Sequence, residues 1–469
     1  MSMRKEEIRE IDFSIYNIKD EVEYEFQTGK GLSREVVLEI SEQKGEPSWM
    51  REFRLKALEI YEKMPMPTWG VDLSQLDINS IVAYIRPSAR KKTSWEEVPE
   101  EIRRTFERLG IPEAEKKALA GVGAQYDSEV IYHNMKESLA RQGVIFEDMD
   151  TALKKYPDII REYFMTKNVL PTDHKFAALH AAVWSGGTFV YVPEGVKVEV
   201  PLQAYFRMNA PGSGQFEHTL IIADRGSEVH FIEGCSAPLY SVSNLHAGCV
   251  ELFVKEGARI IYSTIENWSK NTYNLNTKRA IVEKDGMVEW ISGSFGSKKT
   301  MLYPASVLVG KGAKAEYTSI TFAAKGQHLD TGAKMIHLAP YTSSKILAKS
   351  ISKDGGISTY RGLLKVGPEA DGVKASVTCE GLMLDDISKS DTIPVIDIEN
   401  DNVDIGHEAK VGRISEEQIY YLMSRGLNEE DARAMIVRGF VEPIVKALPL
   451  EYAVEMNRLI KLELEGAIG

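Results

Sequence analysis

The sequence predicts a mainly β protein built around a parallel β-solenoid, with helical segments before and after it. Five strands in the middle of the chain are each preceded by a glycine, and the glycines are separated by 31, 31, 29 and 26 residues: Gly195, Gly226, Gly257, Gly286 and Gly312. Apolar and polar residues alternate after each glycine, which is the pattern of a strand with one buried face. Such a near-regular spacing is typical of stacked coils, and glycine accommodates the sharp bend between them.

The first part of the chain has helical rather than alternating patterns. Apolar residues recur at three-to-four spacing in residues 32–40, 49–62 and 95–106, which predicts amphipathic helices. Pro65 and Pro67 follow the second of these segments, and proline ends a helix because it restricts the residue before it. We therefore predict an N-terminal helical domain over residues 1–170.

The composition changes again at both ends of the solenoid. Residues 171–412 are rich in Val, Ile, Thr, Tyr and Gly in short runs, and this segment is the predicted solenoid. Ser415 with Gln418 predicts a capping box, and Gly426 followed by Asn428 predicts a helix end and a new helix start. A final helix is predicted from Tyr452 to Leu464, so residues 413–469 form a C-terminal helical domain.

Composition limits the classes of partner and the compartment. The net charge of −12 disfavours binding to nucleic-acid phosphates or to an anionic membrane surface. The sequence has no apolar run of about 18 residues, and its opening residues are too polar for a signal peptide. Only 3 cysteines occur, so free thiols are expected rather than a disulfide framework. A cytoplasmic location follows as an expectation.

Seven sequence blocks stand out in order along the chain: Glu46–Arg54, Gln215–Glu217, Ile232–Pro238, Tyr262–Trp268, Asp330–His337, Tyr360–Leu363 and Gly406–Ala409. Together they resemble the SufB/SufD family of the Suf iron–sulfur cluster assembly system, and its SufB branch in particular. The resemblance extends from about residue 30 to the C-terminus.

This resemblance implies a fold, a role and a set of partners. The implied fold is a right-handed parallel β-helix flanked by helical domains. The implied role is that of a scaffold, not an enzyme, on which a transient iron–sulfur cluster of the 4Fe–4S type is assembled. The implied partners are a SufC-type ABC ATPase at the C-terminal helices, SufD or a second copy of this chain, a cysteine desulfurase or sulfur carrier protein, and apo iron–sulfur proteins.

Two of the three cysteines match the family's functional thiols. A thiolate is both the nucleophile that accepts sulfur as a persulfide and a soft ligand for iron. Cys235 lies in the block that resembles the family's sulfur acceptor. Cys379 aligns with the cysteine at the subunit interface where the cluster forms. Cys249 lies in an alternating strand and is interpreted as a core residue.

The resemblance also implies a polar path for sulfur near Cys235, through Arg207, Asn209, Glu266, Trp268 and Lys278. Cations near a persulfide would stabilise its anionic form, which Arg207 and Lys278 could do. Glu266 departs from the family's usual glutamine, and a carboxylate there opposes an anionic sulfur unless a cation pairs with it. An ordinary ion-pair network is the alternative interpretation of these charges.

His407 and Glu408 are the remaining candidates for iron ligands beside Cys379. Imidazole and carboxylate groups both bind iron, but adjacent residues of a strand point to opposite faces, so one is expected to bind and the other to support it. The family's further glutamate is replaced by Gly406 here. His246, His328 and His337 are weaker candidates.

Two motifs are missing from the sequence. The CxxCxxxC insertion found in some family members is absent, and so is a phosphate-binding GxxxxGK[ST] loop, so ATP hydrolysis is assigned to a partner.

Two other functions remain open at this stage. A polysaccharide-cleaving solenoid would use clustered acids, for which the candidates are Asp385, Asp386, Asp397, Asp401 and Asp404, although a cytosolic location argues against it. A structural subunit of the SufD type would share the fold but is expected to lack the block around Cys235.

Overall fold

Two large sheets dominate the structure, a computed structural model that describes residues 17, 19–20, 22–108, 119–446, 448 and 450–465. The strands are β1 Tyr24–Gln27, β2 Ile85–Pro87, β3 Gly121–Tyr126, β4 Glu129–Met135, β5 Ile145–Asp148, β6 Gly187–Val192, β7 Leu202–Arg207, β8 Gly214–Gln215, β9 His218–Ala223, β10 Glu228–Ser236, β11 Asn244–His246, β12 Cys249–Val254, β13 Arg259–Trp268, β14 Thr272–Val282, β15 Met287–Gly296, β16 Lys299–Leu302, β17 Ala305–Leu308, β18 Lys314–Ala323, β19 His328–Thr331, β20 Lys334–His337, β21 Ser343–Ser352, β22 Ile357–Val366, β23 Val373–Met383, β24 Lys389–Ile398 and β25 Val403–Arg413. The helices are α1 Arg34–Lys44, α2 Ser48–Lys63, α3 Glu100–Arg108, α4 Glu137–Ala140, α5 Met149–Lys155, α6 Pro157–Tyr163, α7 Lys175–Val183, α8 Glu416–Ser424, α9 Glu429–Val445 and α10 Leu450–Glu465.

The chain winds between the two sheets as a β-solenoid, which confirms the predicted core. One sheet has ten strands in the order β25-β23-β21-β18-β15-β13-β10-β7-β3-β4, and the other has thirteen. From β3 to β25 the strands of the first sheet are parallel. Alternate side chains of both sheets point inward and form one apolar core, to which Phe231, Ile260 and Val288 belong. Stacking in register therefore aligns inward positions of successive coils.

Four of the five predicted turn glycines have a left-handed backbone. The φ angles are 72° at Gly195, 65° at Gly226, 66° at Gly257 and 75° at Gly312, a region that glycine enters without steric cost. In the remaining turn, Asp285 has the positive φ, at 54°, instead of Gly286. Aspartate tolerates this conformation better than most residues, so the turn forms with its left-handed residue one position earlier than predicted.

The strand predicted after Gly195 is wrong in position. Only an isolated bridge from Lys197 to Glu228 forms there, and the regular strand β7 begins at Leu202. Pro201 immediately precedes it and has no N–H to donate to a ladder, so regular pairing starts after this residue.

The segment before residue 171 contains the helices that the sequence predicts. It also contains the strands β1–β5, which were not predicted. Helices α1 and α2 occupy the first two predicted segments, and α3 follows a short 3₁₀ turn at Trp95–Glu97. Strands β3 and β4 extend the ten-stranded sheet and β5 joins the other. Every residue of β3 is buried, so the strand has no apolar–polar alternation by which the sequence could reveal it.

The C-terminal helices pack against the outer face of the ten-stranded sheet. Ser415 accepts a hydrogen bond from the Gln418 N–H at 3.2 Å, and Asn428 accepts one from the Asp431 N–H at 2.7 Å, so both predicted N-caps are confirmed. The preceding helix stops at Gly426, whose φ is 101°. Among the described residues, no helix has both the length and the apolar character needed to cross a membrane.

Candidate functional site

Cys235 lies near the end of β10 and is buried inside the solenoid. It is the register partner of Glu266 on β13, so the two side chains share the inward face of neighbouring coils. Lys278 reaches the same interior from β14 of the opposite sheet and is also buried. The fold therefore brings together three of the residues that the resemblance implied, although they are up to 43 positions apart in the sequence.

Lys278 is bound between two buried carboxylates. Its Nζ donates to Glu233 Oε1 at 2.8 Å and to Thr264 Oγ1 at 3.1 Å, and it lies 3.6 Å from Glu266 Oε1. Glu266 also accepts hydrogen bonds from the side-chain amides of Asn274 and Asn276, at 2.7 and 3.2 Å. Glu266, the residue that departs from the family's glutamine, is thus paired with a cation and fully hydrogen-bonded.

The charges around Cys235 oppose a thiolate in the resting protein. Burial raises the pKa of the Cys235 thiol well above its usual value, and Glu233 raises it further, whereas Lys278 acts in the other direction. Burial disfavours the Lys278 ammonium, but Glu233 and Glu266 outweigh it and raise the pKa of Lys278. Lys278 therefore stays protonated as the counter-charge for an anion that arrives in this interior.

Trp268 and His246 extend the buried cluster. Trp268 shares the inward face with Glu266 and stacks on His246, with ring centroids 4.3 Å apart. His246 Nδ1 lies 2.8 Å from Asn274 Oδ1, and its Nε2 contacts Glu217. Burial lowers the pKa of His246, but the Glu217 carboxylate reverses this and raises it. His246, a weaker candidate from the sequence, is thus connected to the cluster around Cys235.

Arg207 and Asn209 lie outside the cluster around Cys235. Arg207 is the register partner of Ser236 and donates to its Oγ at 3.0 Å, so strand alternation places it on the other face of the sheet from Cys235. The backbone N–H of Asn209 donates to Asp127 Oδ1 at 2.6 Å, and its side chain donates to the Asp20 carbonyl at 3.1 Å. Arg207 is the last residue of β7 and Asn209 lies two residues after it, so neither side chain lies beside the thiol.

Sequence reasoning missed Glu233, Thr264 and Glu217 as members of the cluster. A signal existed for Glu233, because a residue two positions before Cys235 in a strand must share its face. The same rule applies to Thr264 and Glu266. Glu217 lies between β8 and β9, and its approach to His246 depends on how the coils stack.

Cys379 and His407 meet at the last coil of the solenoid. Cys379 is on β23 and His407 on β25, which are adjacent in the ten-stranded sheet, and Cys379 Sγ lies 3.9 Å from His407 Nε2. Cys379 is buried and His407 is exposed. Burial raises the pKa of the Cys379 thiol to about 12, with a small opposing effect from Tyr360. The site therefore joins a buried thiol to a solvent-accessible imidazole.

Glu408 lies on the opposite face of β25 from His407, as strand alternation requires. It is exposed, and its Oε1 lies 2.8 Å from Lys410 Nζ. His328 on β19 contacts Thr359 of the adjacent strand β22 at 3.0 Å, and His337 contacts Thr342 in the following turn at 2.8 Å, so both already have local partners. Of the candidate ligands near the last coil, the structure brings His407 to Cys379 and leaves Glu408 facing away.

Three of the five acids considered for polysaccharide cleavage are engaged in separate local contacts. Asp386 pairs with Arg413, and Asp397 pairs with Lys365 at 3.0 Å. Asp385 accepts a hydrogen bond from Ser388 Oγ at 2.9 Å within its own turn. These contacts are those of surface ion pairs and turn caps rather than of two opposed catalytic carboxylates.

Comparison with known proteins finds two family models that together span most of the chain. The model described as "SUF system FeS cluster assembly, SufBD core domain" matches residues 206–440, and the model described as "SufBD protein N-terminal region" matches residues 39–204. The "Iron-sulfur cluster assembly protein SufB" of Bacillus subtilis (strain 168) is 58% identical over 444 residues, which are 95% of each chain. "Iron-sulfur cluster assembly SufBD family" proteins of Staphylococcus epidermidis (strain ATCC 12228 / FDA PCI 1200) and Staphylococcus aureus (strain MRSA252) are 56% and 55% identical over 455 residues, 97% of each chain.

Proposed function

Because this chain belongs to the SufBD family of iron–sulfur cluster assembly proteins, we propose that it is a scaffold that assembles nascent clusters from persulfide sulfur and iron and passes them to apo-proteins. The contact between Cys379 and His407 carries this proposal. Metal–sulfur and metal–nitrogen bonds are each roughly 2 Å long, so ligand atoms 3.9 Å apart can bind one iron after a small movement. Cys379 supplies the soft thiolate and His407 the exposed imidazole.

The cluster is cargo and is held only transiently. A stably bound 4Fe–4S cluster uses about four cysteine thiolates, whereas Cys379 and His407 offer one thiolate and one imidazole. The other iron positions of a cluster of this type would be met by a partner chain, which makes release to an apo-protein easier. Glu408 faces away from Cys379, so its proposed role is to support the site while His407 binds the iron.

Sulfur enters at Cys235. The Cys235 thiol loses its proton as its sulfur attacks the terminal sulfur of a persulfide on a cysteine desulfurase or sulfur carrier, and the donor's sulfur leaves and takes up a proton to become a thiol. Lys278 would stabilise the resulting anionic persulfide, and Glu266, Trp268, Arg207 and Asn209 belong to the proposed path. A small polar cavity lined by Tyr360, Thr359 and Cys379 supports the idea that the path ends at the last coil.

Two surfaces support the proposed subunit partners. The last strands β24 and β25 expose apolar side chains at the end of the solenoid, and SufD or a second copy of this chain would cover them; these residues are Ile393, Val395, Ile396, Ile398 and Val411. Helices α8 and α9 expose a second apolar group for a SufC-type ATPase, made of Tyr420, Tyr421, Met423 and Met435. Large exposed apolar groups commonly mark protein–protein contacts.

The finer structural features are part of the same proposal. We propose that the solenoid is a right-handed parallel β-helix, because crossovers between parallel strands are almost always right-handed. We also keep the division into residues 1–170, 171–412 and 413–469. A cytoplasmic location agrees with the free state of the three cysteines. The SufD-type alternative is not favoured, because the Cys235 block is present and the SufB protein of Bacillus subtilis is 58% identical to this chain.

Replacing Cys379 with serine tests the scaffold function. The hydroxyl preserves the shape of the side chain but is a poor ligand for iron, so the iron, sulfide and cluster absorbance after anaerobic reconstitution should fall about tenfold. Ser352→Ala is the control, because Ser352 is also buried, on the neighbouring strand β21, but contacts Ser358 rather than Cys379 or His407. Equal cluster content in the Cys379→Ser and unmodified chains would refute the assignment.

A further inference from the structure

Helix α7 brings a histidine onto a histidine and a cysteine of two adjacent strands. His218 begins β9 and Cys249 begins β12, and the two are register partners on the outer face of the thirteen-stranded sheet. His180 projects from α7, and its Nε2 lies 3.0 Å from Nδ1 of His218. One ligand atom from each of the three residues lies within 4.8 Å of the others, and all three side chains are buried.

We propose that His180, His218 and Cys249 form a binding site for a divalent metal ion of the zinc class, separate from the cluster-building cysteines. Two imidazole nitrogens and one thiolate are donors that Zn²⁺ prefers, and a fourth position remains for water. The ion would fasten α7 to the solenoid. Bound zinc needs its nitrogen ligands roughly 3.3 Å apart, so the 3.0 Å separation of the two imidazoles must widen only slightly.

The hydrogen bonds of His180 fix its ring in the orientation that a ligand requires. His180 Nδ1 lies 2.9 Å from the Ala247 carbonyl oxygen, which can only accept, so Nδ1 carries the proton. The lone pair of His180 Nε2 therefore points at His218. A metal-bound histidine usually has this arrangement, with its second ring nitrogen donating to a carbonyl or carboxylate.

His218 has a carboxylate behind it. Because His180 Nε2 is an acceptor, the proton of His218 lies on Nδ1, and His218 Nε2 is buried without a hydrogen-bond partner. Glu251 Oε2 lies 3.2 Å from that Nε2. The backbone N–H groups of Met165 and Val169 donate to Glu251 at 2.7 and 2.9 Å and hold it in place. Glu251 is thus placed as the second-shell acceptor for a metal-bound His218.

Metal binding balances both protons and charge at this site. The proton on His218 Nδ1 moves to Nε2, which then donates a hydrogen bond to the Glu251 carboxylate. Burial raises the pKa of Glu251 to about 8, so at neutral pH its own proton and the thiol proton of Cys249 both leave to solvent. The metal then binds the freed Nδ1, the Nε2 of His180 and the thiolate. The two positive charges of the ion are met by the thiolate and the Glu251 carboxylate, so no net charge is buried. Without a metal, His218 Nε2 stays unsatisfied.

The test is the metal content of the full-length chain. We would express it with Cys235→Ala and Cys379→Ser in a minimal medium containing zinc and purify it without chelator. Elemental analysis should find about one zinc per chain, and Cys249→Ser and His180→Asn should each lower this about tenfold. His337→Asn is the matched control, because His337 is also a buried histidine but contacts Thr342 and Ser344.

Cobalt in place of zinc gives a second measurement, and its result on the parent chain does not depend on whether a variant folds. The parent chain grown with Co²⁺ should show a near-ultraviolet thiolate-to-cobalt absorption band, and Cys249→Ser should lack it. A parent chain without zinc and without this band overturns the proposal. Equal zinc in the parent, Cys249→Ser and His180→Asn chains, with folding verified by circular dichroism, also overturns it.

Discussion

Lys278 determines the electrostatics of the solenoid interior, because it holds two buried carboxylates in one cluster. Its ammonium contacts Glu233 at 2.8 Å and approaches Glu266 at 3.6 Å, and all three side chains are buried. A second donor, the Tyr262 hydroxyl, also contacts Glu233. Removing one partner of a buried ion pair is costly because the other charge is left in a low-dielectric interior.

We expect Lys278→Met to lower the free energy of unfolding by about 3–5 kcal/mol, because Glu233 and Glu266 lose their cation. Adding Glu233→Gln to the same chain should recover most of this loss. Urea unfolding measures both effects. Lys284→Met is the control: Lys284 forms an exposed pair with Glu256 at 2.6 Å, so its loss should leave the unfolding midpoint unchanged. A small effect of Lys278→Met without rescue would contradict the buried-pair account.

Glu463 is a buried carboxyl on α10 whose protonation is coupled to the packing of that helix. Burial raises its pKa to about 7, although Lys270 and Lys353 act in the opposite direction. Folding therefore favours the protonated form. The resulting stabilisation is complete below the usual carboxyl pKa of 4.5 and is lost as the pH rises through about 7. Above about pH 7, the buried Glu463 is ionised, and its desolvated charge lowers the stability of the folded state.

We expect the stability of the chain to fall by roughly 3 kcal/mol between pH 4.5 and 8 through this one group, since one pKa unit corresponds to about 1.4 kcal/mol. Replacing Glu463 with glutamine should flatten the dependence in this range. Urea unfolding of both chains at several pH values measures the difference. Identical pH profiles for the two chains would show that Glu463 is not the responsible group.

At the scale of elements, the sequence predicts structure well where a single face is buried. The strands β10, β13 and β18 follow positive-φ glycines and alternate apolar and polar residues, so their positions were predictable. Strand β3 was not, because it is buried on both sides. The later turn at Tyr341, with φ of 58°, was also missed, since nothing marks a tyrosine as the left-handed residue of a turn.

The sequence of the C-terminal helices has an apolar stripe at helical spacing, which predicts the ATPase dock and consists of Met423, Leu427, Ala432, Met435, Ile436 and Phe440. Ala432 is buried, Ile436 packs beneath the helices, and the Phe440 ring lies 4.5 Å from Lys349 Nζ of the solenoid. Met423 and Met435 are exposed instead. Half of the stripe is therefore core packing. Removing all residues after Arg413 would uncover apolar side chains of the sheet, so point substitutions test the dock better than truncation.

Tyr421→Glu should weaken binding of a SufC-type ATPase at least about tenfold, because a carboxylate replaces an apolar contact at the centre of the exposed group. Tyr421 is 56% exposed, so the change should not affect folding. Val309→Glu is the control, since Val309 is 43% exposed on the turn after β17. Co-purification with the ATPase measures both. Equal recovery of the ATPase with both variants would show that the ATPase does not bind at Tyr421.

At the scale of the whole molecule, the two thiols of the proposed function, Cys235 and Cys379, lie on different coils of the solenoid. Between β10, which carries Cys235, and β23, which carries Cys379, the sheet order places β13, β15, β18 and β21. Five strand spacings separate the thiols along the axis, about 24 Å. The proposed function therefore requires sulfur to move along the interior from Cys235 to Cys379. Sequence reasoning could select both cysteines, but this separation follows only from the order of the stack.

The end of the solenoid supports the proposal that a second chain completes the site at Cys379. Strands β24 and β25 are the last of their sheets, so one backbone edge of each has no neighbour among the described residues. Pro394 lies in β24, and proline is tolerated in a sheet at such an edge. Exposed edges with apolar side chains are places where another chain adds its own strands. His407 lies on this edge, 3.9 Å from Cys379.

We expect Val395→Glu to weaken association with the second scaffold subunit, whether SufD or another copy, and to lower cluster content in the complex by a similar factor, about tenfold. Val395 is 51% exposed on the edge strand, and Leu338→Glu is the control at 44% exposure in a turn before the last coils. Light scattering measures the association, and iron and sulfide analysis measures the cluster. A partner chain that supplies the missing cluster ligands requires the two losses to occur together. If association is lost while the isolated chain keeps its full cluster, Cys379 and His407 suffice alone and the second subunit has another role.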